Sequence, residues 1–232
     1  DPDELARVLD IDRDLREVAL SSVRPAWLVD HRDDPVRPTR GWSSTLSVEY
    51  AFPFLGTDAE FVKSFSQQTA YLDLGRLGVA AGSLRLGAIE PIGEDAVEGD
   101  LASRRVPVSE RFFAGGRPTP RAYRRDRLGI RGDTLLESDS GLIPVGGDGL
   151  LLANLDWRFP IAGPVAGELF ADAGNVWSDW RDIDAGEVKA GAGLGVRYDS
   201  PIGPLRLEVG WKLDREEGES PAVVFLSFGN PL

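Results

Sequence analysis

Leu205-Arg-Leu-Glu-Val-Gly-Trp-Lys-Leu213 alternates at every step. Leu205, Leu207, Val209, Trp211 and Leu213 share one face of an extended chain, while Arg206, Glu208, Gly210 and Lys212 share the other. Wound as a helix, these residues would scatter their charges through the apolar stripe; period two separates them cleanly, so the segment is a strand. Residues 151–159 read the same way, with Leu151, Ala153, Leu155, Trp157 and Phe159 opposite Leu152, Asn154, Asp156 and Arg158. In 42–52, Trp42, Leu46, Val48, Tyr50 and Phe52 oppose Ser43, Thr45, Ser47 and Glu49. Further strands fall at 17–31, 60–74, 77–89, 165–177, 189–199 and 221–229, and residues 1–16 carry the end of one more strand and a loop. The chain is all-β.

Several of these strands approach the roughly 9–11 residues that cross a bilayer at a tilt. Trp27, Trp42, Trp157, Trp177 and Trp211 lie at or near apolar strand faces, where an interfacial aromatic belt needs them. A soluble β-sandwich alternates on one face too, but strand length and Trp placement favour an antiparallel transmembrane barrel. Hydrophobic content of 42% with 28% charged residues fits an ordered chain of 232 residues. The slightly negative mean hydropathy is compatible with a barrel, which averages lipid-facing and lumen-facing residues. No apolar run is long enough for a transmembrane helix.

The chain has no Cys and one His, His31, which removes disulfides, thiolate metal sites and most imidazole chemistry. A net charge of −12 argues against a nucleic-acid partner, since phosphate binding needs a basic face. No phosphate-binding glycine loop, His/Cys cluster or distinctive carboxylate pair is present, so neither an enzyme nor a metal or cofactor site is expected. The chain starts at Asp1, contains no Met and begins with nothing like a signal peptide; it reads as a processed or excised segment.

The connections are uneven. Asp199-Ser-Pro-Ile-Gly-Pro204 is a tight hairpin turn, whereas residues 90–147 form a long connection with little alternation, and loops of that length are usually functional or disordered. This one carries Arg111-Phe-Phe-Ala-Gly-Gly116 and Pro120-Arg-Ala-Tyr123, too hydrophobic for a free linker. Inside a barrel its docking partner is the polar lumen. Gly115 and Gly116 permit a tight turn into the loop, and Phe112 and Phe113 pack it down. Alternation on 165–177 places Asp172 with Glu168 and Phe170, opposite Leu169, Ala171 and Trp177. Leu169 and Trp177 suit lipid, so Asp172 should face the lumen. Asp30, Arg32 and Asp33 read as structural turn charges. Gly191, Gly193 and Gly195 share one strand face with no helix following, which indicates close backbone packing or strand bending and not a nucleotide fingerprint. Arg131-Gly-Asp133 is an adhesion-like tripeptide that a charged loop produces by chance.

These motifs, in this order, resemble the BamA/TamA outer-membrane assembly-factor superfamily, also called bacterial surface antigens, over nearly the whole chain. Ser109-Glu-Arg-Phe-Phe-Ala-Gly-Gly116 is similar to the start of that family's inward-folded loop, and Pro120-Arg-Ala-Tyr123 with Leu128-Gly129 to its Arg-Gly-aromatic tip. Asp30-His-Arg-Asp33 with Pro38-Thr-Arg-Gly41 resembles the periplasmic hairpin signature. Phe170–Trp177 and Tyr198–Glu208 resemble the late strands, and Phe225-Leu-Ser-Phe-Gly229 the last-strand signal. Two departures stand out. Ala122 replaces the usual Gly, which implies a more constrained backbone if that position needs positive φ. The chain ends Asn230-Pro-Leu232 instead of on an aromatic residue.

The resemblance implies a barrel of about sixteen strands preceded by periplasmic domains. This chain would supply the C-terminal part of it, about eight or nine strands with the long loop at 90–147, and none of the periplasmic domains. Kept in that geometry alone it would have two open edges, which are prohibitive in hydrocarbon, so it is expected to belong to a longer protein. The resemblance also implies that Arg121 pairs with an acidic residue of the 165–177 strand. Asp172 is the candidate and Glu168 its competitor, with Arg111, Phe112, Phe113, Gly115, Gly116 and Tyr123 shaping the loop. Phe225, Phe228 and Gly229 would carry the last-strand signal. The implied function is folding and insertion of β-barrel proteins in a Gram-negative-type outer membrane. Its partners would be the bilayer, unfolded barrel clients and accessory lipoproteins. A TamA-like or partner-secretion translocation pore and a passive porin are the alternatives.

Overall fold

The computed structural model describes residues 19–52, 54, 56–57, 59–92, 106–117, 119–138, 141–200, 203–216 and 218–228. The expected strand before residue 17, the terminal Asn-Pro-Leu and Gly229 of the last-strand motif lie outside them. Twelve strands follow in chain order: β1 (Ser22–Val23), β2 (Ala26–Asp30), β3 (Gly41–Ala51), β4 (Phe61–Asp73), β5 (Val79–Pro91), β6 (Leu135–Ser138), β7 (Gly141–Pro144), β8 (Gly149–Ala162), β9 (Val165–Trp177), β10 (Lys189–Ser200), β11 (Gly203–Lys212) and β12 (Ala222–Phe228). Among the described residues there is no α-helix, only short 3₁₀ turns.

Ten strands form one antiparallel meander in the order β1-β3-β4-β5-β8-β9-β10-β11-β12, with β2 also on β3. β1 and β2 pair with successive stretches of the same β3 edge. They are therefore the single strand read at 17–31, interrupted at Arg24-Pro25, because Pro25 has no N–H to give the ladder. The remaining members coincide with the alternating segments to within a few residues at each end. β6 and β7 form a separate two-stranded hairpin inside the long connection, a piece of structure that its weak alternation did not announce.

The sheet's two faces are inverted relative to a soluble protein. Apolar side chains on one face are exposed: Leu84, Leu86, Leu155, Leu169, Leu194, Val196, Leu205, Leu207, Val224 and Leu226. The opposite face buries Arg85, Asn154, Asp156, Glu168, Asp172, Arg197, Arg206 and Glu208. A sandwich in water would bury the leucines and expose the charges. Only a solvent of hydrocarbon outside, with the polar face turned inward, reconciles this pattern with period-two strands. Trp27, Trp42, Trp157 and Trp211 lie exposed among the outward residues, as a belt requires.

Trp177 departs from that belt and corrects its lipid-facing assignment. It is 1% exposed, and its indole Nε1 donates to Glu187 Oε2 at 2.7 Å. The connection after β9 folds back over the strand end, and the long loop covers the other side, where Thr134 Oγ1 donates to the Val176 carbonyl. With both faces covered, Asn175, Val176 and Trp177 are all buried in succession, and alternation loses its meaning there.

Candidate functional site

The loop between β5 and β8 lies on the inward face and is held by its own backbone. Phe112 and Gly147 exchange two hydrogen bonds, Phe112 N to Gly147 O at 2.8 Å and the reverse at 3.0 Å. Leu128 N donates to Ala114 O at 2.9 Å and Gly116 N to Tyr123 O at 2.8 Å. Gly115 and Gly116 make the turn possible, with φ of 108° and 80°, values that cost an L-residue strain. Arg111 reaches the Val106 carbonyl through Nε at 2.9 Å and the Val145 carbonyl through Nη1 at 3.2 Å, tying the two ends of the loop together. Phe112 lies over Gly87 of β5, with the Lys63 ammonium 5.3 Å from its ring centroid. Phe113 is half-buried beside Gly146.

At the tip, Tyr123 N donates to Pro120 O, and the turn presents Arg121 to the sheet. Arg121 is 6% exposed. Its Nε and Nη2 donate to the two oxygens of Asp172 at 2.9 and 2.8 Å, and its own backbone N–H adds a third bond to Asp172 Oδ2 at 2.8 Å. Nη1 faces the other carboxylates, Glu168 at 2.8 Å, Asp156 at 2.7 Å and Glu208 at 3.4 Å. Phe170 stacks under the guanidinium at 3.8 Å. Asn154 Nδ2 supplies Asp172 Oδ1 with a further donor at 2.8 Å. The planar fork therefore takes one carboxylate bidentately and turns its remaining nitrogen, Nη1, to a cluster of three more.

Glu168 and Asp172 are thus joint partners of one arginine and do not compete. Asp156 and Glu208 complete the set, and these two were not singled out in the sequence. The signal for them was present: both sit on the polar face of segments whose alternation is cleanest, β8 and β11, adjacent in the sheet to β9 and β10. What the sequence lacks is the sheet order that puts β8, β9 and β11 within reach of one side chain.

The glycines of β10 and β11 are the socket for this tip. A side chain at Gly191 would run into Ala122 Cβ, and one at Gly210 would meet the Arg121 carbonyl oxygen at 2.7 Å. Gly193 makes room for Phe170. Ala122 is fully buried, and the only non-glycine residue of positive φ among the described residues is Asp126. The constraint at position 122 is therefore space against β10, not a left-handed backbone. Tyr123 is also fully buried, with Lys212 Nζ 4.7 Å from its ring centroid.

Other sequence candidates fall elsewhere. The Asp33 carboxylate accepts from the Thr39 hydroxyl and from Thr39 N and Arg40 N, which holds its pKa well below the usual carboxylate range, the hydroxyl bond being the largest cause. Arg32 forks onto Asp30 at 2.9 and 2.7 Å. Phe225 and Phe228 lie on opposite faces of β12, half-buried inward and exposed outward. Arg131 is engaged by Glu137 and Glu216, so the Arg131-Gly-Asp133 guanidinium is not presented as a ligand. Among the described residues, no His, Cys, Asp and Glu group has a metal-holding arrangement.

Comparison with known proteins agrees with this architecture. The family model described as the Omp85 superfamily domain matches residues 4–230. The outer membrane protein assembly factor BamA of Nitratidesulfovibrio vulgaris is 31% identical over 198 residues, covering 82% of this chain and 23% of the relative. BamA of Neisseria meningitidis serogroup B is 24% identical, covering 82% and 26%. A SAM50-like protein of Schizosaccharomyces pombe is 27% identical, covering 77% and 37%. The chain thus spans about a quarter of the two BamA proteins it matches. Among solved structures, BamA from Haemophilus ducreyi lacking POTRA domains 1–3 superposes with a TM-score of 0.69 at 21% identity, over 89% of this chain and 42% of that one; it shares the barrel fold. Both BamA relatives bear the name outer membrane protein assembly factor. With its inverted faces and its loop seated on the inward one, the chain belongs to the Omp85 superfamily.

Proposed function

We propose that this chain is the loop-bearing, C-terminal part of an outer-membrane barrel that folds and inserts other β-barrel proteins. The observation that carries the reading is Arg121 buried on four carboxylates of the inward sheet face. Arg121, Asp172 and Glu168 act here as the loop anchor, and the motif residues from Arg111 to Tyr123 shape the loop they anchor. Catalysis on this reading is physical: inserting a strand into lipid is slow because its unpaired backbone groups each cost several kcal/mol (~4–8 for an amide moved to an apolar phase). An exposed strand edge that pairs with them lowers that barrier. β12, which among the described residues pairs with β11 alone, is the edge we assign to this task, with Phe225 and Phe228 as its signal residues. The partners are the bilayer, unfolded barrel clients and accessory lipoproteins, in a Gram-negative-type outer membrane.

The test uses the full-length protein in liposomes, with the folding rate of an unfolded barrel client and the flux of a small solute measured side by side. Faster client folding, diminished by Arg121→Ala, supports the reading. Solute flux without any acceleration of folding overturns it in favour of a passive porin, and transport of a secreted partner without acceleration favours a translocation pore.

A further inference from the structure

The loop touches the sheet at a second place that the tip anchor does not explain. Arg117 precedes the tip, and its side chain is 11% exposed. Its Nε lies 2.9 Å from Glu208 Oε2 on β11, and its Nη1 donates to the Ser227 hydroxyl on β12. Glu208 is 1% exposed and gives its other oxygen, Oε1, to Arg121 at 3.4 Å. One buried carboxylate therefore stands between two arginines of the same loop, one fastened to β9 and the other to β12. Nη2 of Arg117 is buried without a hydrogen-bond acceptor among the described residues, so among those residues Glu208 and Ser227 hold the guanidinium there.

We infer that Arg117 is a positioning residue, a latch that fastens the terminal strand to the loop, and that Glu208 couples this latch to the Arg121 anchor. β12 has seven residues, against thirteen in β9, and one strand neighbour among the described residues. Its backbone ladder to β11 is thus its main fastening, and a side-chain tie to the loop from its inward face adds a constraint that the ladder lacks. Undocking the loop withdraws that constraint; docking it restores the strand. The inference stands on these contacts and not on the assembly role proposed above, so it survives if that role fails.

The experiment is hydrogen exchange on the full-length protein in lipid nanodiscs, read separately over 165–177 and 222–228. Arg117→Ala should speed exchange of the β12 amides at least tenfold while leaving β9 within twofold of the unaltered protein. Ser227→Ala should shift β12 in the same direction by a smaller factor. Glu208→Gln should speed both segments, because it loosens both arginines. Arg117→Lys, which keeps the charge beside Glu208 but lacks the second arm, should leave β9 unchanged and still loosen β12. Unchanged β12 exchange in Arg117→Ala overturns the latch, and so does an equal rise in β9. Should Arg117→Ala not reach the heat-modifiable folded form, Ser227→Ala, which deletes one hydroxyl, decides on the same scale: no change in β12 overturns the inference.

Discussion

Removing the Arg121 guanidinium is the sharpest test of how the loop is held. Arg121→Ala leaves Asp156, Glu168, Asp172 and Glu208 facing one another with their shared cation gone. Removing one member of a buried ion pair costs about 3–5 kcal/mol, because the partner stays desolvated and uncompensated. At tenfold per ~1.4 kcal/mol, the undocked loop should become more populated by roughly two to three and a half orders of magnitude. Trypsin reports this directly, since Arg124 and Arg125 follow the tip and cleavage tracks the open population when opening is fast. Arg121→Lys separates charge from geometry. It keeps a cation in the cluster but loses the two-pronged bond to Asp172, and charge-assisted bonds are worth roughly 1.5–3 kcal/mol each, so its cleavage rate should fall between the two. Cleavage of Arg121→Ala at the unaltered rate would refute the anchor, and Arg121→Lys behaving like the unaltered protein would show that only charge matters. An exchange of charges between positions 121 and 172 is no test: an aspartate at 121 would still face Asp156, Glu168 and Glu208, so failure to rescue is the expected result.

The socket should be as selective as the anchor. Gly210→Ala puts a methyl against the Arg121 carbonyl and the Ala122 amide, an overpacking worth about 1–3 kcal/mol; loop protease sensitivity should rise with the barrel still heat-modifiable. Gly82→Ala, which meets the end of the Leu155 side chain at 3.3 Å and the Asn154 carbonyl oxygen at an ordinary 3.7 Å, should be silent in the same assay. Leu194→Arg, mid-strand on the exposed apolar face, should cost about 2–4 kcal/mol in denaturant titrations of the lipid-reconstituted protein, whereas a water-facing sheet would tolerate it. The Asp33 turn should be acid-resistant. Its carboxylate titrates below the ordinary range when folded, so its contribution is complete above the unfolded value near 3.9 and is lost only as pH falls through the depressed one. Thr39→Val should move the Asp33 carbon titration, followed by NMR, back up toward the ordinary value.

Much of this was legible in the chain itself. The strand set, the membrane-facing residues and the inward face of Asp172 all follow from period two, because pleating sends successive side chains to opposite faces whatever the neighbours are. The loop motif marked where the long connection turns and packs, since Gly115 and Gly116 and two adjacent phenylalanines have a local reason to be together. The reading failed where local pattern meets tertiary cover: Trp177 alternates onto the lipid face but is roofed by the connection that follows it, and the β6–β7 hairpin is too short to alternate visibly.

By itself, then, the sequence determined the strands, their faces and the two ends of the loop, all properties set within about ten residues. Which carboxylates gather around Arg121 was decided by the sheet order, which brings Asp156, Glu168, Asp172 and Glu208 from three strands to one side chain. That the β10 and β11 glycines serve as the loop's socket, and that Arg117 meets β12, likewise depended on contacts between residues 69 to 110 positions apart. Charge on an alternating strand says which way a residue points; only the arrangement of neighbours says what it finds there.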